Sequence, residues 1–289
     1  MKNILKNAKC CSKIAAQNIL SWAQNYRMIM LLLLLGATVA QYCAELEPYS
    51  DKVRAEINGL AVLPVMYNSY ISYFRVVIQL GIVLMFSNAP FKNADSMFCV
   101  MRTGYARWCA GELLYIVSAS FIYTVSLFVM TNIFCVNKLT YSLKWGRTFT
   151  AMQDGTFGYG VHSKVLLQYK PLEALLHTML FIFLLSVLFG LLIFLMSSLV
   201  GRSSGVFIAS ALVLLGLMPN FTQRPALIAK LSPCSLTEIS MTDKLGISYY
   251  PSLAYAYTVL CVLIVILFSA NIIIYSNRKI RQNIYAAEV

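Results

Sequence analysis

The chain has 289 residues, of which 59% are hydrophobic and 12% charged, with a formal net charge of +12. A mean hydropathy of +0.70 excludes a water-soluble globular domain, which could not keep so much apolar surface from solvent. In a soluble protein the positive charge would point to nucleic acid; here it points to basic residues gathered beside a membrane, and no nucleic-acid partner is expected.

In chain order, residues 1–27 come first, with Lys2, Lys6, Lys9, Lys13 and Arg27 ahead of the first apolar run. That lead is too long and too mixed for the charged region of a signal peptide. It reads as an amphipathic cytoplasmic segment before an uncleaved first helix, with 28–289 forming a single transmembrane domain. Six apolar runs follow, at about 28–44, 65–86, 113–136, 172–199, 206–218 and 253–275. A span needs roughly 20 apolar residues, and the fourth run is the clearest, uncharged between Glu173 and Arg202. Isolated strands cannot satisfy their backbone in lipid, and continuous rather than alternating runs exclude a barrel. The expected fold is an all-α integral membrane protein of about six transmembrane helices.

Orientation follows from charge. Arg27, Arg202, Arg278, Lys279 and Arg281 cluster near span ends on one side, which predicts both termini inside, N-in and C-in. The outer loops are then about 45–64, 137–171 and 219–252. In the last of these, Pro225 and Pro233 bracket an apolar stretch too short to cross, which predicts a re-entrant or interfacial helix.

Between spans two and three, Met97, Phe98, Met101, Tyr105 and Trp108 recur at helical spacing beside Arg102 and Arg107. This predicts a short amphipathic helix on the cytoplasmic side. It either rests on headgroups, anchored by Trp108 and the arginines, or docks on a cytoplasmic partner. Arg75 falls inside the second run, where an arginine is costly and marks a site unless it snorkels outward. Glu173, at the outer end of span four, is the candidate counter-ion. His162 and His177 each lack a partner at ligand spacing and read as structural. Gly201 and Gly205 read as a tight turn around Arg202. The eight cysteines include no CxxC and no Cys/His group at metal spacing, so no metal site is expected. Cys43 and Cys234 both fall on the outer side, and spacing alone does not pair them.

There is no GxxxxGK[ST], no HExxH and no GxSxG in the chain. No catalytic residue and no nucleotide site of its own are expected, so the chain is not read as an enzyme.

With these residues in view, the chain resembles the membrane subunits of ABC-2 type ABC transporters, in particular small bacterial permeases encoded beside a separate ATPase. The resemblance rests on six spans with both ends inside and on MRTGYARWCAGELLYI before span three. It rests also on VGRSSGV joining spans four and five, on PALIAKLSPCSLTEI and YYPSLAYAYTVLCVL around the start of span six, and on a basic tail. It implies a coupling helix at Met97 to Glu112 seated in a groove of a cognate ATPase. It implies outer re-entrant helices at about Phe221 to Thr242, and a second permease protomer, identical or not, with the substrate path between the two. ATP and Mg would be bound by the partner ATPase, with no cofactor in this chain. The implied location is the bacterial plasma membrane, in contact with lipid. The long 137–171 loop departs from the short one of many such permeases. The alternative function is a membrane-embedded interaction or immunity protein without transport. A secondary transporter ranks lower, since the spans hold almost no ionisable residue beyond Arg75. An intramembrane enzyme is the weakest reading, with no paired Asp or Ser–His arrangement at membrane depth.

Overall fold

The computed structural model describes residues 2–89, 100, 104–152, 160–201, 203–221, 225–244 and 249–276. Helix α1 (Lys2–Leu20) runs through a 3-10 turn at Ser21–Gln24 to Asn25, whose side chain accepts from the Arg27 N–H and starts α2 (Tyr26–Val53). Strand β1 (Ile57–Asn58) leads into α3 (Gly59–Tyr67) and α4 (Tyr73–Phe86). Then come α5 (Tyr105–Phe134), β2 (Leu139–Thr140), α6 (Gly146–Ala151), α7 (Ser163–Gln168) and α8 (Pro171–Leu199). Helices α9 (Ser204–Leu215), α10 (Pro225–Leu231), α11 (Pro233–Leu236) and α12 (Leu253–Ser276) complete the order.

Among the described residues four helices, α2, α5, α8 and α12, are long and apolar enough to cross a bilayer. The expected six therefore divide into four full-length helices and two short ones. Helix α4 has 14 residues and α9 has 12. At about 1.5 Å per residue these reach only about 21 and 18 Å, short of a hydrocarbon core of about 30 Å.

The second run, expected as one helix over 65–86, is broken between Tyr67 and Tyr73. The cause is local. The Pro64 carbonyl accepts both the backbone N–H of Asn68 (3.1 Å) and its side-chain amide (2.8 Å), which closes α3. Ser69 then bridges to Val161, and the Tyr70 N–H donates to the Gly160 carbonyl at 2.9 Å, so the chain leaves the helix to pair with residues 160–161.

Helix α8 is the hub, packing on α3, α4, α5, α9 and α12, with Phe181, Phe189 and Phe194 fully buried. In lipid such association depends on close packing rather than on water release. Gly190 allows it: a Cβ there would lie 2.5 Å from Ile116 Cγ2 on α5. At the α8–α9 turn Gly201 takes φ +143°, and a Cβ on Gly205 would lie 2.6 Å from the Ile193 carbonyl. The tight turn expected around Arg202 is therefore present on both sides of that residue, which itself lies outside the described residues.

Contacts sort the helix ends into two groups. At one end, Arg27 at the start of α2 donates to Ser87 (3.1 Å) and Asn88 (2.5 Å) just past α4. There, too, Trp108 near the start of α5 meets Phe194 of α8 and Tyr275 of α12, and α1 lies along α5. At the other end a lid forms. Strands β1 and β2 pair in parallel, Ile57 with Leu139, directly after α2 and α5. The Asn58 side chain donates to the carbonyls of Ser142 and Lys144, and the Trp145 indole to that of Tyr169. The described parts of the 137–171 loop thus form a partly helical cap that includes α6 and α7.

Candidate functional site

The site forms where the α3–α4 break meets the segment from Ser232 to Asp243, every residue of which is buried. Burying irregular backbone requires internal partners for its polar groups, and the sequence supplies them. The N–H of Ile239 donates to the Asn68 side-chain oxygen at 2.8 Å. Thr237 donates to the Cys234 carbonyl at 2.7 Å, and the Tyr67 hydroxyl lies 2.8 Å from Thr237. Gln79 donates to Tyr67 at 3.2 Å and to the Cys234 carbonyl at 3.4 Å. With Thr237 donating onward, the proton order reads Gln79 to Tyr67 to Thr237 to Cys234, a chain in which each bond polarises the next.

Arg75 lies one turn before Gln79 on the same face of α4 and is 2% exposed. Its guanidinium pairs with the Glu238 carboxylate, also 2% exposed, and donates to Ser72 at 3.2 Å. The other Glu238 oxygen accepts from Ser240. Arg75 therefore does not snorkel to an interface: two opposite charges are desolvated together and neutralise each other.

Glu173 is not the counter-ion expected for Arg75. It sits at the start of α8, one-third exposed, with Lys244 Nζ at 2.5 Å and His177 Nε2 at 3.9 Å. It ties the end of the 232–244 segment to α8, while His177 Nδ1 lies 2.7 Å from the Tyr257 hydroxyl. His162 packs on Tyr70, ring centroids 4.3 Å apart. Burial holds its imidazole below the usual value, and the nearby positive charges of Arg75 and Lys164 add to that.

At the opposite end, Met97, Phe98, Met101 and Arg102 of the expected coupling helix lie outside the described residues. Tyr105 to Glu112 is no separate helix. It forms the first turns of α5, which runs without a break into the third apolar run. Arg107 is exposed and Tyr105 half-buried, but Trp108 and Glu112 face inward, 2% and 1% exposed. Trp108 packs at 6.0 Å from Phe194 and 5.6 Å from Tyr275, which stack on each other. Glu112 accepts from Asn18 of α1 at 2.7 Å, and Trp22 donates to Tyr115 at 2.9 Å. Trp108, expected at the surface as a headgroup anchor or docking residue, is instead buried against α8 and α12, while α1 covers Glu112.

Sequence reasoning singled out Arg75 and missed Asn68, Gln79, Tyr67, Thr237 and Glu238. A signal existed, since Asn68, Ser72, Arg75 and Gln79 recur at three- and four-residue steps in an otherwise apolar stretch. Among the described residues no group of three or more His, Cys, Asp or Glu could hold a metal ion. In the cluster the Ser240 hydroxyl donates to Glu238, whose carboxylate is paired with Arg75. What it can do chemically is hold two broken segments together through a charge pair and a short relay of hydrogen bonds.

Comparison of the chain with protein-family models, with curated proteins and with solved structures finds no match.

Proposed function

We propose that this chain is the transmembrane subunit of an ATP-driven ABC-2 type exporter, working beside a separate ATPase and a second permease protomer. One observation carries the reading: a fully buried, irregular segment, Ser232 to Asp243, precedes the last long helix and is seated on a broken helix at the lid end. An irregular segment at membrane depth is tolerated where it is enclosed by protein or lines a cavity, and two broken segments joined by a charge pair and a short relay of hydrogen bonds make an element able to adopt two packings. Four long apolar helices and two short ones support a multi-pass membrane protein.

The ATPase would act at the end opposite the lid, on Arg107 together with Met97, Phe98, Met101 and Arg102. Helix α5 has 30 residues, about 45 Å of rigid rod, and links that end to the lid. ATP and Mg stay in the ATPase; this chain supplies no chemistry, only a bistable interface with different substrate affinity in its two states. Helix α12, whose most apolar stretch is 11% buried against 67% for α8, offers Val262, Val265, Ile266 and Ile273 to lipid or to the second protomer.

The test is a pulldown of the tagged chain in mild detergent beside an Arg102→Glu/Arg107→Glu variant, with bound proteins identified and ATPase activity assayed. A P-loop ATPase recovered with the wild type and lost with the folded variant supports the reading. No ATPase under conditions that preserve membrane complexes overturns it and leaves a membrane-embedded interaction or immunity protein.

A further inference from the structure

Cys43 and Cys135 are 92 positions apart in sequence, yet the fold brings their thiols to 2.8 Å. Cys43 lies on the lid-side half of α2, and Cys135 caps the lid end of α5. Both are buried, 2% and 0% exposed. Two further links join the same two segments: Lys138 Nζ meets Asp51 at 2.5 Å, and β1 pairs with β2. The thiols therefore sit within an attachment that would hold them together without any bond between them. The sulfurs of Cys10, Cys11 and Cys109 lie toward the opposite end. Cys234 sits in the Gln79 cluster, and Cys261 is exposed on α12.

We propose that Cys43 and Cys135 form a disulfide that staples the outer ends of α2 and α5. The premise is the N-in orientation, which puts the lid on the oxidising, extracytoplasmic side, where disulfides persist. The oxidant is a protein or small molecule carrying a disulfide. One thiolate attacks a sulfur of that disulfide and releases one oxidant thiolate; the second attacks the mixed disulfide and releases the other. The two cysteines lose two protons and two electrons, and the oxidant disulfide is reduced to two thiols. Because both sulfurs are buried in the finished fold, the exchange runs before α2 and α5 close on one another, and the completed bond is then shielded from reductant. In the exporter reading, α2 and α5 move at the lid as one body, and rearrangement falls to the α3–α4 break and to residues 232–243.

The experiment uses the full chain, expressed in a bacterial plasma membrane and extracted without reductant. Free thiols are blocked with N-ethylmaleimide during denaturation, and peptides are mapped by mass spectrometry before and after reduction. A cytoplasm-dependent reporter at the C-terminus reads orientation independently of any ATPase. The expected result is a linked Cys43–Cys135 peptide pair, with Cys10, Cys11, Cys109, Cys234 and Cys261 all labelled. In Cys135→Ser, Cys43 becomes labelled. Reduction lowers the thermal unfolding temperature of the wild type by several degrees and leaves a Cys43→Ser/Cys135→Ser variant unmoved. Labelling of both thiols before reduction, with the C-terminus inside, overturns the proposal. The same labelling with the C-terminus outside overturns it together with its premise, and linkage of either cysteine to a different one overturns it as well.

Discussion

The two ends of the helix assembly are closed by different physics. At the lid end, broken helices and a buried irregular segment are joined by polar bonds: Arg75 to Glu238, Asn68 to Ile239, and Gln79 through Tyr67 to Thr237. At the α1 end, continuous helices are closed chiefly by rings, with Trp108 against Phe194 and Tyr275 and Trp22 edge-on to Tyr115, beside the hydrogen bonds of Arg27 to Asn88 and Asn18 to Glu112. Aromatic packing degrades gradually as atoms are removed. A buried charge pair is nearly all-or-none, because a survivor left alone bears the full cost of desolvation. A region that must switch between two arrangements is better built from the second kind of contact, since exchanging partners gives discrete states.

Breaking that contrast at the lid should produce the largest effect. Glu238→Gln leaves Arg75 charged and buried without its counter-ion, and the expected loss is about 3–5 kcal/mol in unfolding stability. Joining it to Arg75→Met should recover most of the loss, as read from thermal or denaturant unfolding in detergent. If the double variant is no better than the single, the pair is not coupled and the contrast fails.

Truncation at the other end sharpens it. Trp108→Ala should cost about 3 kcal/mol through the cavity left beside Phe194 and Tyr275, and Trp108→Phe only part of that. A graded series with no rescuing second-site change distinguishes packing from charge pairing in the same unfolding measurement.

The smallest expected effect is one of pH, and it belongs to the lid. The His162 imidazole is held below its usual value by burial and by Arg75 and Lys164. In the unfolded chain it titrates at about 6.5. Between the folded and unfolded values the unfolded chain binds more protons, so stability is full above about 6.5, falls as the pH drops through that range, and levels off below the folded value. His162→Gln should flatten this dependence between pH 7.5 and 5.5. An equally steep profile in the variant would assign the effect to another group.

Much of the architecture was readable without coordinates. The runs 172–199 and 253–275 are α8 and α12 within a residue or two, because nothing in lipid competes with a continuous helix. The first run was underestimated. Helix α2 continues past Ala44 to Val53, carrying Glu45 and Glu47 beyond the apolar stretch and holding Pro48 without ending. The second run was overestimated, because hydropathy does not register that Asn68 can stop a helix by bonding the carbonyl of Pro64. The site was half visible: an arginine in an apolar run announced itself, while Glu238 looked like one more loop acid.

The sequence by itself determined the membrane class, the order of the apolar helices and the short interrupted segment before the last of them, because these depend on local composition and on what a backbone tolerates in lipid. Only the tertiary structure decided that Arg75 answers to Glu238 rather than Glu173, that Cys43 meets Cys135 rather than Cys234, and that Trp108 and Glu112 turn inward while Arg107 faces out. Each of these is a choice among chemically equivalent partners far apart in the chain, and it is made by which helix faces pack together, a property of the assembled neighbours and not of any one segment.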